Sequence, residues 1–448
     1  MNLPYQDALD YLYSYIDYGS ERADRYSPEV FELERIKRLL ASMGNPHESY
    51  LSIHIAGTKG KGSVAALIAS CLQQAGYKTG LYTSPHLIDF RERIRVNGKL
   101  ISASDVAQGV AALKPYAARE PGITTYELMT ALAFSYFEEK GIEVGVFEVG
   151  LGGRLDSTNV LTPIVSVITS LSYDHTHVLG DTLAEIAAEK AGIIKKGVPV
   201  VSANQPAEAE RVLQQIAHER GSPLEIIGRD WHYQRGARDL SGQSIRIWSQ
   251  GEAQESGVLL RLPLLGDHQL ENAVVAFAAL KHTSKGGFTL EEDDIRRGFD
   301  RVDWPGRFQV LQSQPALVVD SAHNGASAKE LRRTLTAFFP KSRVHMIFGA
   351  SEDKDIEGML NELGPVVSRV TFTRASHPRA AKPAAMTAIA EGKIKEVECI
   401  DDVREALSSA MEEASPEDVV LVTGSLFVVG EVLASQGEAI TSRTEESV

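Results

Sequence analysis

Short runs of continuous apolarity recur along the chain, each closed by glycine, proline or polar residues. Ser52-Ile53-His54-Ile55-Ala56, Thr79 to Thr83, Val144 to Val149, Ile164 to Thr169 and Val198 to Val201 are such runs, separated by stretches of helical periodicity. Apolarity that does not alternate predicts a parallel sheet covered on both faces. Residues 225–262 differ: positions alternate, as in Ser244-Ile245-Arg246-Ile247-Trp248, and predict an antiparallel patch appended to that sheet. Asp303-Trp304-Pro305-Gly306-Arg307 breaks the pattern, and a second strand and helix series follows with strands at 316–320, 344–348, 370–373 and 418–422. The expectation is an α/β chain of two doubly wound units, residues 1–300 and 306–436, with a cleft between them and ligand sites at the carboxyl ends of the strands. Residues 437–448 are polar and aperiodic and read as a flexible tail.

The first apolar run ends in Ile55-Ala56-Gly57-Thr58-Lys59-Gly60-Lys61-Gly62-Ser63, and the apolar helical stretch Val64 to Leu72 follows. Glycines let backbone N–H groups converge on an anion, a helix N-terminus adds a positive field, and Lys61 adds a mobile cation. Gly57, Thr58, Gly60, Lys61, Gly62 and Ser63 therefore read as a phosphate cradle, a variant of the P-loop with an extra glycine after the lysine, and Ser63 could hold a magnesium ion.

Composition limits what such a cradle serves. The chain has 448 residues, 43% hydrophobic and 24% charged, enough for two domains with separate cores. A formal charge of −14 argues against a nucleic-acid partner, which needs clustered basic residues, but suits a small anion in a local pocket. No apolar run reaches the roughly 18 residues that span a bilayer, and Met1 to Asp7 lacks the basic start and apolar core of a signal peptide, so the expectation is a cytoplasmic protein without a membrane partner. Two cysteines, Cys71 and Cys399, are too few for a disulfide framework and read as core thiols.

Further candidates sit at the predicted strand ends. Glu148 lies inside an apolar strand just before Gly150-Leu151-Gly152-Gly153-Arg154, where a carboxylate needs a cation: a metal, or Arg154 in an ion pair. Ser84 ends another strand. Asp174-His175 lies beyond a third, and His175 is a candidate metal ligand. Lys190 sits in a helical turn of small residues that can bury its stem; burial lowers a lysine pKa and frees a nucleophilic amine, whereas a surface position leaves it an ordinary cation. In the second half, Asp320-Ser321-Ala322-His323-Asn324 follows a buried strand, and Arg307 at the linker can present its planar fork to a phosphate.

Together these segments resemble the folylpolyglutamate synthase and dihydrofolate synthase family, relatives of the Mur peptide ligases. The likeness rests on the cradle, Thr83-Ser84-Pro85-His86-Leu87 with Glu92-Arg93-Ile94, Glu148 through Asp156, Asp174-His175, and Glu189-Lys190-Ala191-Gly192. It continues through His268-Gln269 with Asn272-Ala273, Pro305-Gly306-Arg307, Asp320 through Asn324, and Gly424-Ser425-Leu426, and so covers nearly the whole chain. The resemblance implies a P-loop, Mur-ligase-like central domain followed by a smaller doubly wound α/β domain. It implies ATP on the cradle, with Lys61 at the β- and γ-phosphates, Mg2+ on Ser84 and Glu148, and a second ion on His175 with a carbamylated Lys190. Asn272 then contacts the adenine side, Arg307 a phosphate, and Asp320 and His323 the nucleotide from the second domain. Thr125 through Phe134 resembles the segment near the pterin end of the substrate. Lys59 departs from a frequent Asn, Ser321 and Gly325 from a frequent Gly and Pro, and Tyr126 from a frequent Phe.

The implied reaction is ATP-dependent joining of L-glutamate to dihydropteroate or a reduced folate through an acyl phosphate, by a monomer. A P-loop kinase or ATPase would turn over without glutamate. An ATP-binding interaction module would not turn over, nor would it need Glu148, His175 and Lys190.

Overall fold

In the computed structural model, residues 3–15 and 32–445 are described. Eight strands form the first sheet: β1 (Leu51–Ala56), β2 (Thr79–Tyr82), β3 (Ile94–Val96), β4 (Lys99–Leu100), β5 (Val144–Glu148), β6 (Val165–Ile168), β7 (Val200–Ser202) and β8 (Leu224–Ile226). Their order across the sheet is β4-β3-β2-β5-β1-β6-β7-β8. The strands from β2 to β8 run parallel, and only the short β3 and β4 at one edge are antiparallel. The continuous apolar runs are thus the central strands, buried along almost their whole length.

β1 lies between β5 and β6, so the chain leaves it with connections that diverge to either side. At such a switch point the loops beyond the strand ends splay apart and leave a crevice. The loops after β1, β5 and β6 carry the cradle, the Gly150–Gly153 turn and Asp174-His175 respectively.

Helix Lys61–Gln74 is apolar all round because it is covered all round. Its side chains share one core with β1, β6 and helix Asp267–Leu280. Helix Glu292–Asp300 approaches so closely that a Cβ on Gly298 would lie 2.5 Å from the Cys71 Sγ, which requires glycine there. A second core on the opposite face of the sheet gathers Phe134, Phe137, Phe147 and Tyr82.

The alternating segment forms β9 (Trp231–Asp239), β10 (Gly242–Ser249) and β11 (Val258–Leu262), an antiparallel sheet of its own rather than an addition to the first. Its buried positions Ile245, Ile247, Leu260 and Leu262 pack into the core beside helix Asp267–Leu280, which a separate layer can cover and a coplanar extension could not.

The second domain is built on β12 (Gln309–Ser313), β13 (Ala316–Val319), β14 (Val344–Phe348), β15 (Arg369–Phe372), β16 (Glu396–Cys399) and β17 (Val419–Thr423), ordered β12-β13-β17-β14-β15-β16. All neighbours are parallel except β12 with β13. β16 forms the outer edge, so Cys399 is exposed rather than a core thiol, while Cys71 is buried as expected. Helix Leu426–Glu445 runs past Gly437, where the sequence suggests a tail: a helix nucleated by packed residues continues at little cost through Ala, Glu and Arg. Residues 446–448 of that segment lie outside the described residues. No helix among the described residues is long and apolar enough to cross a membrane.

Candidate functional site

The cradle turn owes its shape to three glycines with different reasons for being glycine. Gly57 has φ +148° and a Cβ there would sit 1.9 Å from the Thr169 Oγ1; Gly60 has φ +85° and would meet the Asn272 Oδ1 at 2.1 Å. Gly62 has ordinary helical space around its backbone but lies under the Trp304 indole, 2.7 Å from where a Cβ would be. Asn272, buried on helix Asp267–Leu280, is therefore seated directly on the turn, held by a hydrogen bond from its Nδ2 to Gln269 Oε1 (3.0 Å).

Within the turn, the Thr58 and Lys59 amides donate to the Ser170 carbonyl, and the Thr58 hydroxyl donates to the Ser172 carbonyl (3.2 Å). Those bonds fix the turn against the loop after β6. Lys61, Gly62 and Ser63 open helix Lys61–Gln74, whose first N–H groups have no acceptor within the helix, so this end presents donors and a positive field to an anion.

Glu148, at the end of β5, is buried and accepts a hydrogen bond from the Ser84 amide at 3.2 Å. Arg154, its alternative partner, pairs with Glu189 instead, at 2.7 Å. Burial pushes the Glu148 carboxyl above the usual carboxylate range, while the charges of Lys61, Arg307 and Arg93 pull the other way. Among the described residues, the Lys61 and Arg307 side chains have neither a hydrogen-bonding nor an ion-pair partner, and Arg93 bonds only the neutral His86 ring, so three cations without an ion pair act on one buried carboxylate.

Lys190 is buried, and its Nζ donates to the Gly57 carbonyl at 3.0 Å, directly beneath the cradle. Burial, reinforced by the nearby Lys61 charge, brings its pKa down to about 7. Of the two readings open for this side chain, burial is the observed one. His175 has a left-handed backbone, φ +49°, uncommon for a non-glycine residue, and lies within 3.8 Å of the Asp174 carboxylate; its side chain stays 45% exposed, yet desolvation by the surrounding loops lowers its pKa, with Asp174 opposing and Lys354, Lys61 and Lys190 adding to the fall. His175 and Glu148 thus both lie within the field of Lys61.

From the second domain, Asp320 accepts from the Phe308 amide (2.8 Å) and the Ala322 amide (2.9 Å), clamping the linker beyond Arg307 to the end of β13. Burial raises its pKa against the pull of Arg307. His323 Nδ1 donates to the Ser321 carbonyl at 2.9 Å, leaving Nε2 as an acceptor, and burial lowers its pKa to about 4, so the ring is neutral. Among the described residues no group of three His, Cys, Asp or Glu side chains is spaced to hold a metal. The carboxylate of Glu148 and hydroxyl of Ser84 nonetheless suit magnesium, which takes one or two protein oxygens and completes its shell with water and phosphate.

The model of the Mur ligase middle domain matches residues 55–280, and that of the Mur ligase glutamate ligase domain matches residues 306–426. A dihydrofolate synthase/folylpolyglutamate synthase of Bacillus subtilis is 34% identical over 436 residues, covering 96% of this chain and 98% of its own. The chain belongs to the folylpolyglutamate and dihydrofolate synthase family of Mur ligases. A folylpolyglutamate synthase of Thermotoga maritima superposes with a TM-score of 0.81 at 35% identity over 95% of both chains. The Escherichia coli family member solved with DHPP and ADP gives 0.85 at 32% identity over 98% of both.

Two residues of this Mur ligase that shape the site, Asp156 and Trp304, carry little signal of that role in sequence. Asp156 accepts from the Gly150, Leu151 and Thr158 amides and from the Thr158 hydroxyl, which also bonds His54 Nε2 at 2.7 Å; this buried chain fixes the turn beyond Glu148. Its Asp-x-Thr spacing is a local turn signal that could have been read. Trp304 announces itself only as an aromatic residue before Pro-Gly, yet it covers Gly62 and receives the Arg95 guanidinium 5.6 Å over its ring. Gly62→Ala is expected to raise the nucleotide KM about tenfold in an ATP titration, since the displaced indole must take linker and Arg307 with it; overpacking of this kind costs about 1–3 kcal/mol. An unchanged KM would mean that the indole moves freely.

Proposed function

We propose that this chain is an ATP-dependent ligase that joins L-glutamate to a folate-type acid, dihydropteroate or a reduced folate, through an acyl phosphate. One observation carries the reading: the charges of Lys61 from the cradle and Arg307 from the interdomain linker, neither in an ion pair among the described residues, both reach buried Glu148 beside an open helix N-terminus. That is a built receptor for a polyphosphate accompanied by a cation. The names and bound ligands of the relatives supply the acid and the nucleotide.

In this scheme the γ-phosphate of ATP lies between Lys61 and Arg307. A carboxylate oxygen of the folate-type acid attacks the phosphorus, the bond to the bridging oxygen breaks, and ADP leaves. The amine of L-glutamate then attacks the acyl carbon, the new amide forms, and inorganic phosphate departs. Lys61, Arg307 and the N–H groups of Gly62 and Ser63 offset the negative charge that spreads over the phosphoryl oxygens. Asn272, seated on Gly60, faces the base, and Asp320 and His323 meet the nucleotide from the second domain. Contact between the domains keeps water from the acyl phosphate, which would otherwise hydrolyse.

Ser84 and Glu148 would hold one magnesium ion, and His175 with a carbamylated Lys190 a second. Bound there, magnesium supplies Lewis-acid charge neutralisation at the phosphates. Carbamylation joins the neutral Lys190 nitrogen to carbon dioxide with loss of one proton, turning a buried neutral amine into an anionic ligand. The expected assembly is a monomer, and the expected setting is the cytoplasm.

The test is ADP release measured with dihydropteroate and with reduced folates, each with and without L-glutamate. Turnover is expected only when acid and glutamate are both present. Glutamate-independent release would instead identify a kinase or ATPase, and nucleotide binding without any turnover would leave a binding module; either overturns the ligase.

A further inference from the structure

Lys59 occupies the middle of the cradle but turns away from its own domain. Its Nζ donates to the Asn324 Oδ1 of the second domain at 2.9 Å, a contact across 265 positions of sequence. Asn324 is no loose acceptor. Its Oδ1 also takes the Ser327 amide at 2.9 Å, capping helix Gly325–Phe338, and its Nδ2 donates back across the cleft to Asp174 Oδ2 at 3.3 Å. One carboxamide therefore joins the loop after β1, the loop after β6 and the first turn of a second-domain helix. Glu330, on that same helix, and Asp174 are the carboxylates whose charge reaches Lys59. The amine is half-buried, and burial lowers its pKa to about 8.

We propose that Lys59 is a positioning residue, an interdomain tie that holds the second domain against the phosphate cradle before any nucleotide arrives. A charge-assisted hydrogen bond is stronger than a neutral one, and its partners here are pinned at both ends, Lys59 by its backbone bond to Ser170 and Asn324 by its capping bonds. Nucleotide then enters a crevice whose far wall is in place, so less of its binding energy goes into closing the domains. Lys61 remains the cation for the phosphates, while Lys59 fixes the distance between Lys61 and the residues following β13. The effect on turnover rests on the ligase reading; the tie itself does not.

Lys59→Met removes the donor and keeps the stem; Asn324→Ser keeps the cap and withdraws the acceptor from reach. Each is compared with the parent protein by small-angle scattering without nucleotide, by calorimetric titration with ADP, and by ATP kinetics. The expected result is a larger radius of gyration in both variants, ADP affinity and ATP KM about tenfold worse, kcat within about threefold, and a double variant no worse than the singles. Lys59→Arg, which keeps a donor, should restore most of the compactness. Unchanged dimensions and ADP affinity in both single variants would overturn the tie, as would a collapse of kcat at constant KM, which would make Lys59 a catalytic residue. A parent protein that binds ADP but joins no glutamate would sink the ligase reading while scattering and titration still decide the tie. Asn324→Ser asks the question from the second domain if Lys59→Met fails to fold.

Discussion

Lys61→Ala is expected to lower glutamate-dependent ADP release by at least about a thousandfold, with the fold intact. The side chain has neither a hydrogen-bonding nor an ion-pair partner among the described residues, so its loss leaves no acceptor stranded and no cavity in a core; Val64 onward carries the packing of the helix. What disappears is the cation with the largest pull on the Glu148 carboxyl. Without it, the phosphoryl oxygens in the transition state face a buried carboxylate with less compensation, from Arg307 and Arg93. Removing one preorganised electrostatic group costs about a hundred to a thousandfold in comparable sites, and a cation on a transferring phosphoryl group can be worth more. A thousandfold loss corresponds to about 4 kcal/mol of transition-state stabilisation. Steady-state kinetics at saturating ATP, with circular dichroism as the control for folding, makes the measurement. Turnover within tenfold of the parent would remove Lys61 from the chemistry and shift the burden to Arg307.

Much of this site is legible in sequence because its parts announce themselves locally. An apolar strand followed by glycines and a lysine has few structural meanings, and Glu148 stands out as a carboxylate within an apolar run. Arg307, Asp320 and His323 could be read from a linker and a strand end as groups facing a cleft, whereas Asn272 became legible only through resemblance, since no local pattern ties it to the cradle. What stayed hidden depends on a partner from elsewhere in the chain. Gly62 reads in sequence as one more cradle glycine until Trp304 is found on top of it, and Lys59 as a departure from a frequent Asn until Asn324 is found to hold it. The alternation of β9 to β11 correctly gave antiparallel strands, yet periodicity says which residues share a face and not which sheet they join. Cys399 shows the same limit: a strand at a sheet edge exposes what a central strand would bury.

Lys190→Met should move stability and activity in opposite directions. The unfolded chain keeps the lysine proton up to about pH 10.5, whereas the folded chain releases it near 7, because burial and the Lys61 charge disfavour the ammonium. The sign follows: below about 7 both states are protonated and the fold bears the full cost of the buried charge, and between about 7 and 10.5 that cost falls away as pH rises. The shift corresponds to about 5 kcal/mol at its greatest, from which the lost bond to the Gly57 carbonyl takes back about 1 kcal/mol. In carbon-dioxide-free buffer, Lys190→Met should therefore unfold at a higher temperature than the parent at pH 6, and the difference should shrink toward pH 10. Turnover should meanwhile fall by at least about a hundredfold, since methionine can form no carbamate and offers no anionic ligand beside His175. Labelled carbon dioxide should give the parent a carbamate carbon resonance that the variant lacks. A variant less stable than the parent at pH 6 would show that the amine is well solvated or paired after all, and a variant with full turnover would free the reaction from any modification at this position.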